Sequence, residues 1–271
     1  MRRLPALVLA VAALCPACTS GSDEPSPKPA PNATRPISLE SLDLDWPKAQ
    51  GELDPPELPA APEGFSAKTL DQMATVLEKW ARLSTVDENT WHSDIPFSDI
   101  RTVLPKDAAE TYEQQIKGQV SPNLAVANVF RHDVTVIGSP LITSAWKVST
   151  EKDPANERFM RLDLQTRAAY EVRLGNGSSR VIGVLRVHSL SAYKDTTDDF
   201  GVGGGWQEFG AGDCALALDD ALVPDSDRAE SLKDLKTFIR VGGDSKLEMP
   251  ELPAGDKVDA EYLKRCRDGQ V

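Results

Sequence analysis

The sequence predicts an α+β fold: N-terminal helices packed on a curved antiparallel sheet of four to five strands, with a helical C-terminal extension. Three observations predict it. Apolar side chains recur at helical spacing over residues 70–84. Residues 159–174 alternate between apolar and polar, the pattern of a long sheet strand. Helical patterns come first and strand patterns follow in a run, which is α+β order. The competing topology is a β-sandwich.

The chain has 271 residues, room for one large domain or two small ones, and 40% of them are apolar, enough for a core. Lys plus Arg total 30 against 42 Asp plus Glu, a net charge of −12. Such a surface repels phosphates, and the sequence holds no basic patch, so nucleic acid is excluded as a partner.

Residues 1–17 read as a signal peptide. Arg2 and Arg3 make a positive start, and Leu7 to Leu14 is an apolar run. That run is shorter than the ~20 residues a membrane span needs, and no later segment is long enough either. The segment Cys15-Pro16-Ala17-Cys18 resembles the lipobox of bacterial lipoproteins, in which a small residue precedes the cysteine that receives a diacylglyceryl group. Ala17 fits that pattern. The family's usual Leu three places before the cysteine is replaced by Cys15, and Pro16 stands where a small residue is usual. The resemblance implies lipidation of Cys18, and so a membrane anchor at the outer face of the cell membrane. Ordinary cleavage after Ala17 would instead release a secreted protein. Residues 18–64 are rich in Pro, Ser and charge and read as a disordered tether. The alternative for their second half is an extended strap docked through Leu39, Leu42, Leu44 and Trp46.

The main domain is expected over residues 65–223. Leu70, Met73, Ala74, Leu77, Trp80, Ala81 and Ser84 form one helical stripe, with Ser66 and Thr69 as cap candidates. A second helix is expected from Pro105 at its first position to Lys117, with Ala108, Tyr112 and Ile116 on its apolar side. Strands are expected over 125–137 and 141–148, turning at Gly138-Ser139-Pro140. In the 159–174 strand, Met160, Leu162, Leu164, Ala168, Tyr170 and Val172 share a dry face. Arg161, Asp163, Gln165, Arg167, Glu171 and Arg173 share a wet one. Gly175-Asn176-Gly177 supplies a hairpin turn. The return strand, 181–193, alternates less strictly, which indicates burial on both faces or a bulge near Gly183. Residues 206–218 offer a fifth strand. Residues 224–271 form the extension: a helix capped by Ser226 with Leu232, Leu235, Phe238 and Ile239 on one side, a loop over 243–257, and a last helix carrying Tyr262, Leu263 and Cys266.

The element order over residues 65–218 resembles the cone-shaped NTF2-like or cystatin-like folds that recur in actinobacterial lipoproteins. The resemblance implies a helix lying across the sheet and a cone that can hold a small apolar ligand. Trp80, Tyr170 and His188 are the candidate pocket residues.

With Cys15 cleaved away and Cys18 lipidated, Cys214 and Cys266 remain, and two cysteines in an exported chain pair. That bond would staple the last helix to the sheet. The three histidines, His92, His132 and His188, match no local metal-ligand spacing. There is no GxSxG motif and no phosphate-binding loop. Gly201–Gly205 reads as a flexible loop, and Asp195, Asp198 and Asp199 as a solvated turn. The charges on the wet face of 159–174 read as a cross-strand ladder, or alternatively as a groove for an anionic partner. No catalytic residue, metal or cofactor is assigned. The expected function is a non-enzymatic tethered module that binds a small apolar ligand or an envelope protein. The alternatives are a small-pocket enzyme of the isomerase or dehydratase type using Tyr170 and His188, and a structural spacer with no pocket.

Overall fold

The computed structural model describes residues 37–117, 119, 121–194, 199–240 and 260–269. Helix α1 (Ala67–Thr85) forms on the predicted stripe. The Ser66 hydroxyl caps it by accepting the Thr69 N–H at 3.4 Å. Leu70, Met73, Leu77, Trp80 and Ala81 are buried on the side that meets the sheet. Two further helices follow, α2 (Pro96–Arg101) and α3 (Lys106–Ile116), with Pro105 one position before α3 rather than within it.

The strand expected over 125–137 is not there. Pro122 starts a short helix, α4 (Pro122–Val126), and only Val134–Val136 is extended, as β1. The Asp220 carboxylate accepts the Asn123 and Leu124 N–H groups at the start of α4, so its free donors are satisfied from a distant loop. Leu124, Ala125, Val126 and Ala127 are apolar because all four are buried, not because they alternate.

The sheet is antiparallel, curved and unclosed among the described residues. Strand β3 (Arg158–Leu174) pairs on one side with β1 and β2 (Leu141–Lys152), on the other with β4 (Ser179–Tyr193). Strand β5 (Gly201–Phe209) pairs with β4. One sheet forms, so the β-sandwich topology is set aside. The glycines of 201–205 belong to β5 rather than to a loop, because β4 supplies their backbone partners. The expected strand over 206–218 stops at Phe209. Gly210 takes a φ of 78°, and helix α5 (Asp213–Asp219) follows.

Both faces of the sheet are covered. On the first, α1, α3 and α4 close over Met160, Leu162, Leu164, Tyr170 and Val172. On the second, residues 37–46 and helix α6 (Arg228–Arg240) pack against Ala169, Val181, Leu185 and Phe209. Residues 37–64 are therefore not free tether. Ile37 and Leu42 are buried, and Trp46 meets the Phe238 ring edge-on at 5.4 Å. The segment then rounds the β2 edge, where Lys48 bridges Leu141 and the Ile142 N–H donates to the Pro47 carbonyl. It continues on the first face, where the Trp146 indole N–H donates to the Pro56 carbonyl at 3.1 Å. A strap held by hydrogen bonds covers what would otherwise be a bare strand edge.

The face of β3 expected to be wet is dry in its middle. Asp163, Gln165 and Arg167 are all at least 95% buried. Asp163 accepts from the Arg161 guanidinium at 2.8 Å and the Ser189 hydroxyl at 2.5 Å. The β3–β4 register is continuous, with Gly183 opposite Ala169, so no bulge forms there. Gly183 makes room instead: a Cβ on it would lie 2.7 Å from the Phe238 ring of α6.

Within the extension expected from residue 224, Leu235 and Phe238 complete the core of the second face. Asp227, not Ser226, caps α6, accepting the Ala229 and Glu230 N–H groups. Cys214 and Cys266 lie at disulfide distance and join α5 to helix α7 (Ala260–Arg267), so the staple runs helix to helix rather than helix to sheet. Cys18, the signal segment and residues 241–259 lie outside the described residues.

Candidate functional site

The three candidate pocket residues come from three elements. Trp80 stands on α1, Tyr170 on β3 and His188 on β4, all facing the core between helices and sheet. Trp80 and His188 meet: their rings lie edge to face at 4.7 Å. Tyr170 is not beside them. Leu164 is the β3 residue opposite His188, six positions from Tyr170. Trp91 and Phe130 surround Tyr170 with centroids at 5.9 and 5.1 Å. What links the two ends is the last turn of α1. Ser84 reaches His188 Nε2 at 2.8 Å, and the next residue, Thr85, offers its carbonyl to the Tyr170 hydroxyl at 2.7 Å.

Between them lies Arg186, a residue that sequence reasoning missed. It is 98% buried on the same face, and every polar hydrogen-bonding nitrogen is used. Nε donates to Asn128 Oδ1 at 3.0 Å, Nη1 to the Ala125 carbonyl at 3.0 Å and Nη2 to the Leu124 carbonyl at 2.6 Å. The last two are carbonyls at the C-terminal end of α4, where a cation is favoured. Asn128 completes the chain by donating to the Tyr170 hydroxyl at 2.6 Å, and the Tyr112 hydroxyl also donates to Ala125. An arginine inside the apolar run Val184-Leu185-Arg186-Val187 was the available sequence signal.

Burial sets the electrostatics. It lowers Arg186 to about 10, leaving it charged at neutral pH. Burial, and then the Arg186 charge, hold His188 well below the ordinary histidine value, so it is neutral. Burial raises Tyr112 to about 12 and pushes Tyr170 up as well, so both phenols stay protonated.

A serine beside a neutral histidine has the parts of a nucleophile and base. Here the Ser84 hydroxyl also reaches the Ala81 carbonyl at 3.2 Å, which can only accept. The hydroxyl proton thus has a taker inside the helix, and His188 can donate to the oxygen. Nothing of this pair faces solvent: Ser84 is fully buried and His188 nearly so. The arrangement anchors the C-terminal turn of α1 to the sheet.

The other two histidines come together at the surface. His92 and His132 stack at 6.1 Å, and His132 Nε2 lies 3.5 Å from Asp94. Among the described residues no group of three metal-ligating side chains forms. At the far end of β5, burial and then the charges of Asp213 and Asp234 push the Glu208 carboxyl up to about 7. No helix among the described residues is long and apolar enough to cross a membrane. No family model, no curated protein and no solved structure matches this chain.

Proposed function

We propose that the protein is a non-enzymatic extracytoplasmic lipoprotein, anchored through Cys18, that works as a tethered binding module for an envelope protein or a small apolar ligand. The observation that carries the non-catalytic part is the commitment of the chemically capable side chains. Tyr170 and Arg186 spend their hydrogen bonds inside the protein, and His188 gives Nε2 to Ser84 while its Nδ1 has no hydrogen-bond partner among the described residues. The likeness to cone-shaped folds enters this reading as element order alone. Export is supported by the Cys214–Cys266 pair, since such bonds persist in oxidising compartments.

The test uses the full-length chain in an exporting host. Cys18→Ala should move the protein from the membrane fraction to the soluble periplasmic or culture fraction, and the unreduced, unfolded protein should label no thiol beyond position 18. Cross-linking in the intact envelope should trap a discrete partner, or native mass spectrometry should show a bound apolar molecule. Two reactive thiols at 214 and 266, or a chain retained in the cytoplasm, would overturn the location. An empty protein with no cross-linked partner would overturn the binding role.

A further inference from the structure

Strand β3 carries a second buried arginine, on the face opposite Arg186, and this one has no hydrogen-bond partner among the described residues. Arg167 is 1% exposed, and its Nε, Nη1 and Nη2 make no hydrogen bond among the described residues. Two residues along the same face, Gln165 is equally buried and its Nε2 is also unpartnered. The cross-strand neighbours are Thr143 and Ala145 on β2 and Leu185 and Val187 on β4. None is an acid. The carboxylates on this face of β3 stand four residues away in either direction and are both occupied. Asp163 accepts from Arg161 and Ser189, and Glu171 accepts the Leu39 N–H at 3.2 Å.

Strand β5 has Gln207 in the row of Arg167 and glycines in the rows of Gln165 and Asp163. Gly203 and Gly205 stand opposite Ser189 and Val187 and put no side chain on this face. Packing does not demand glycine at 203, where a Cβ would meet nothing nearer than Ser189 Cβ at 3.8 Å. Close approach of a ligand or another backbone is one reason for a glycine inside a strand. The contrast with Arg186 is within one sheet: one buried guanidinium is fully paired, the other is not. Burial lowers Arg167 to about 10, so it keeps its charge at neutral pH. An uncompensated buried charge is strongly unfavourable, and an anion relieves it.

We propose that Arg167 and Gln165 form the polar end of a binding site, on the sheet face opposite α1, for a small molecule with one carboxylate and an apolar body. The guanidinium fork matches a planar carboxylate bidentately, and the Gln165 amide adds a further donor. One positive charge is unbalanced, so a single negative charge neutralises it. A phosphate dianion would add repulsion from Asp163. Val187 and Ala145, the cross-strand neighbours of Gln165, suit an apolar body where Gly205 puts no side chain on the face. The inference rests on the reading of the protein as a binding module and names the chemistry it recognises.

The test is thermal unfolding and calorimetric titration of the full-length chain carrying Cys18→Ala, disulfide intact, with octanoate as probe and octanol and inorganic phosphate as controls. Octanoate should raise Tm by about 5 °C at saturation while the controls leave it unchanged. Arg167→Met should abolish the shift and, in anion-free buffer, unfold no earlier than the parent, because it removes an unpaired charge. Arg167→Lys keeps the charge but loses the fork, and Gln165→Leu loses one donor; each should weaken octanoate binding roughly tenfold. If Arg167→Met does not fold, these two carry the test. No response of the parent to octanoate, or an equal response in all the variants, would overturn the carboxylate site. The binding-module reading would survive that result and fall only if native mass spectrometry and cross-linking both found nothing bound.

Discussion

Asn128 sits between a buried cation and a buried phenol: its side-chain oxygen takes the Arg186 Nε–H at 3.0 Å and its amide donates to the Tyr170 hydroxyl at 2.6 Å. The arrangement ties α4, β3 and β4 to the last turn of α1 through one polar chain. Cutting it in the middle strands the charge. Asn128→Ala should cost about 3 kcal/mol, since Arg186 loses an acceptor in a dry core. Tyr170→Phe should cost about 2 kcal/mol: the Asn128 amide loses its acceptor, while the Thr85 carbonyl keeps the Trp91 indole N–H. The double variant should cost less than the sum, because both changes break the same chain. Urea unfolding of the four proteins measures it, and strict additivity would show the network to be two separate bonds.

A buried and a half-buried group make stability depend on pH in opposite senses. His188 titrates in the unfolded chain near 6.5 and well below that in the folded one. As pH falls through 6.5 the unfolded state takes a proton the folded state refuses, so stability is lost. Glu208 behaves in reverse, with a folded value of about 7 against an ordinary 4.5. Above pH 7 its charge is carried at a cost, and stability is regained as pH falls from about 7 towards 4.5. Glu208→Gln should therefore raise Tm at pH 8 and remove the gain on acidification. His188→Gln, which keeps a donor for Ser84, should flatten the loss below pH 6.5. Denaturant midpoints from pH 4.5 to 8 separate the two.

Gly183 and Phe238 share one space. A Cβ at 183 would lie 2.7–2.8 Å from three atoms of the Phe238 ring. Gly183→Ala should destabilise by about 2 kcal/mol through overpacking of α6 on the sheet. Phe238→Ala should cost about 4 kcal/mol by emptying the site. In the Phe238→Ala background the alanine at 183 should be close to neutral, or helpful, because the ring that opposed it is gone. A full cost in both backgrounds would mean that the backbone, not the ring, requires glycine there.

The strap is structural. Ile37 is 2% exposed, and the Ile142 N–H takes its acceptor from Pro47. Ile37→Ala should cost about 3 kcal/mol, and a chain beginning at Phe65 should unfold earlier, expose Leu141 and Val181, and bind a hydrophobic dye. A chain starting at Phe65 with unchanged Tm would show that residues 37–64 contribute nothing to the domain.

The periodicity of α1 and β3 was readable because each element has a face that meets a core directly, and local spacing records that contact. The Cys214–Cys266 pair was readable from count and compartment. The short α4 was not readable: its residues are apolar throughout, and an all-apolar run does not distinguish a strand from a buried turn of helix. The second face of β3 was misread as wet because Arg161, Asp163, Gln165 and Arg167 are polar. The correcting signal lay in β4, where Val181, Leu185 and Val187 are apolar on that same face and require a cover.

The sequence by itself determined the class of fold, the first helix, the long hairpin of β3 and β4 and the cysteine partners, since these follow from local period and counting. Tertiary structure alone decided which arginine would be satisfied. Arg167 and Arg186 both stand in the middle of a strand, and local spacing does not say which of them is paired. One meets the open carbonyls at the end of α4, and the other makes no hydrogen bond among the described residues. Whether a buried charge finds a partner depends on what the chain brings across from far away in sequence, and local spacing carries no record of that.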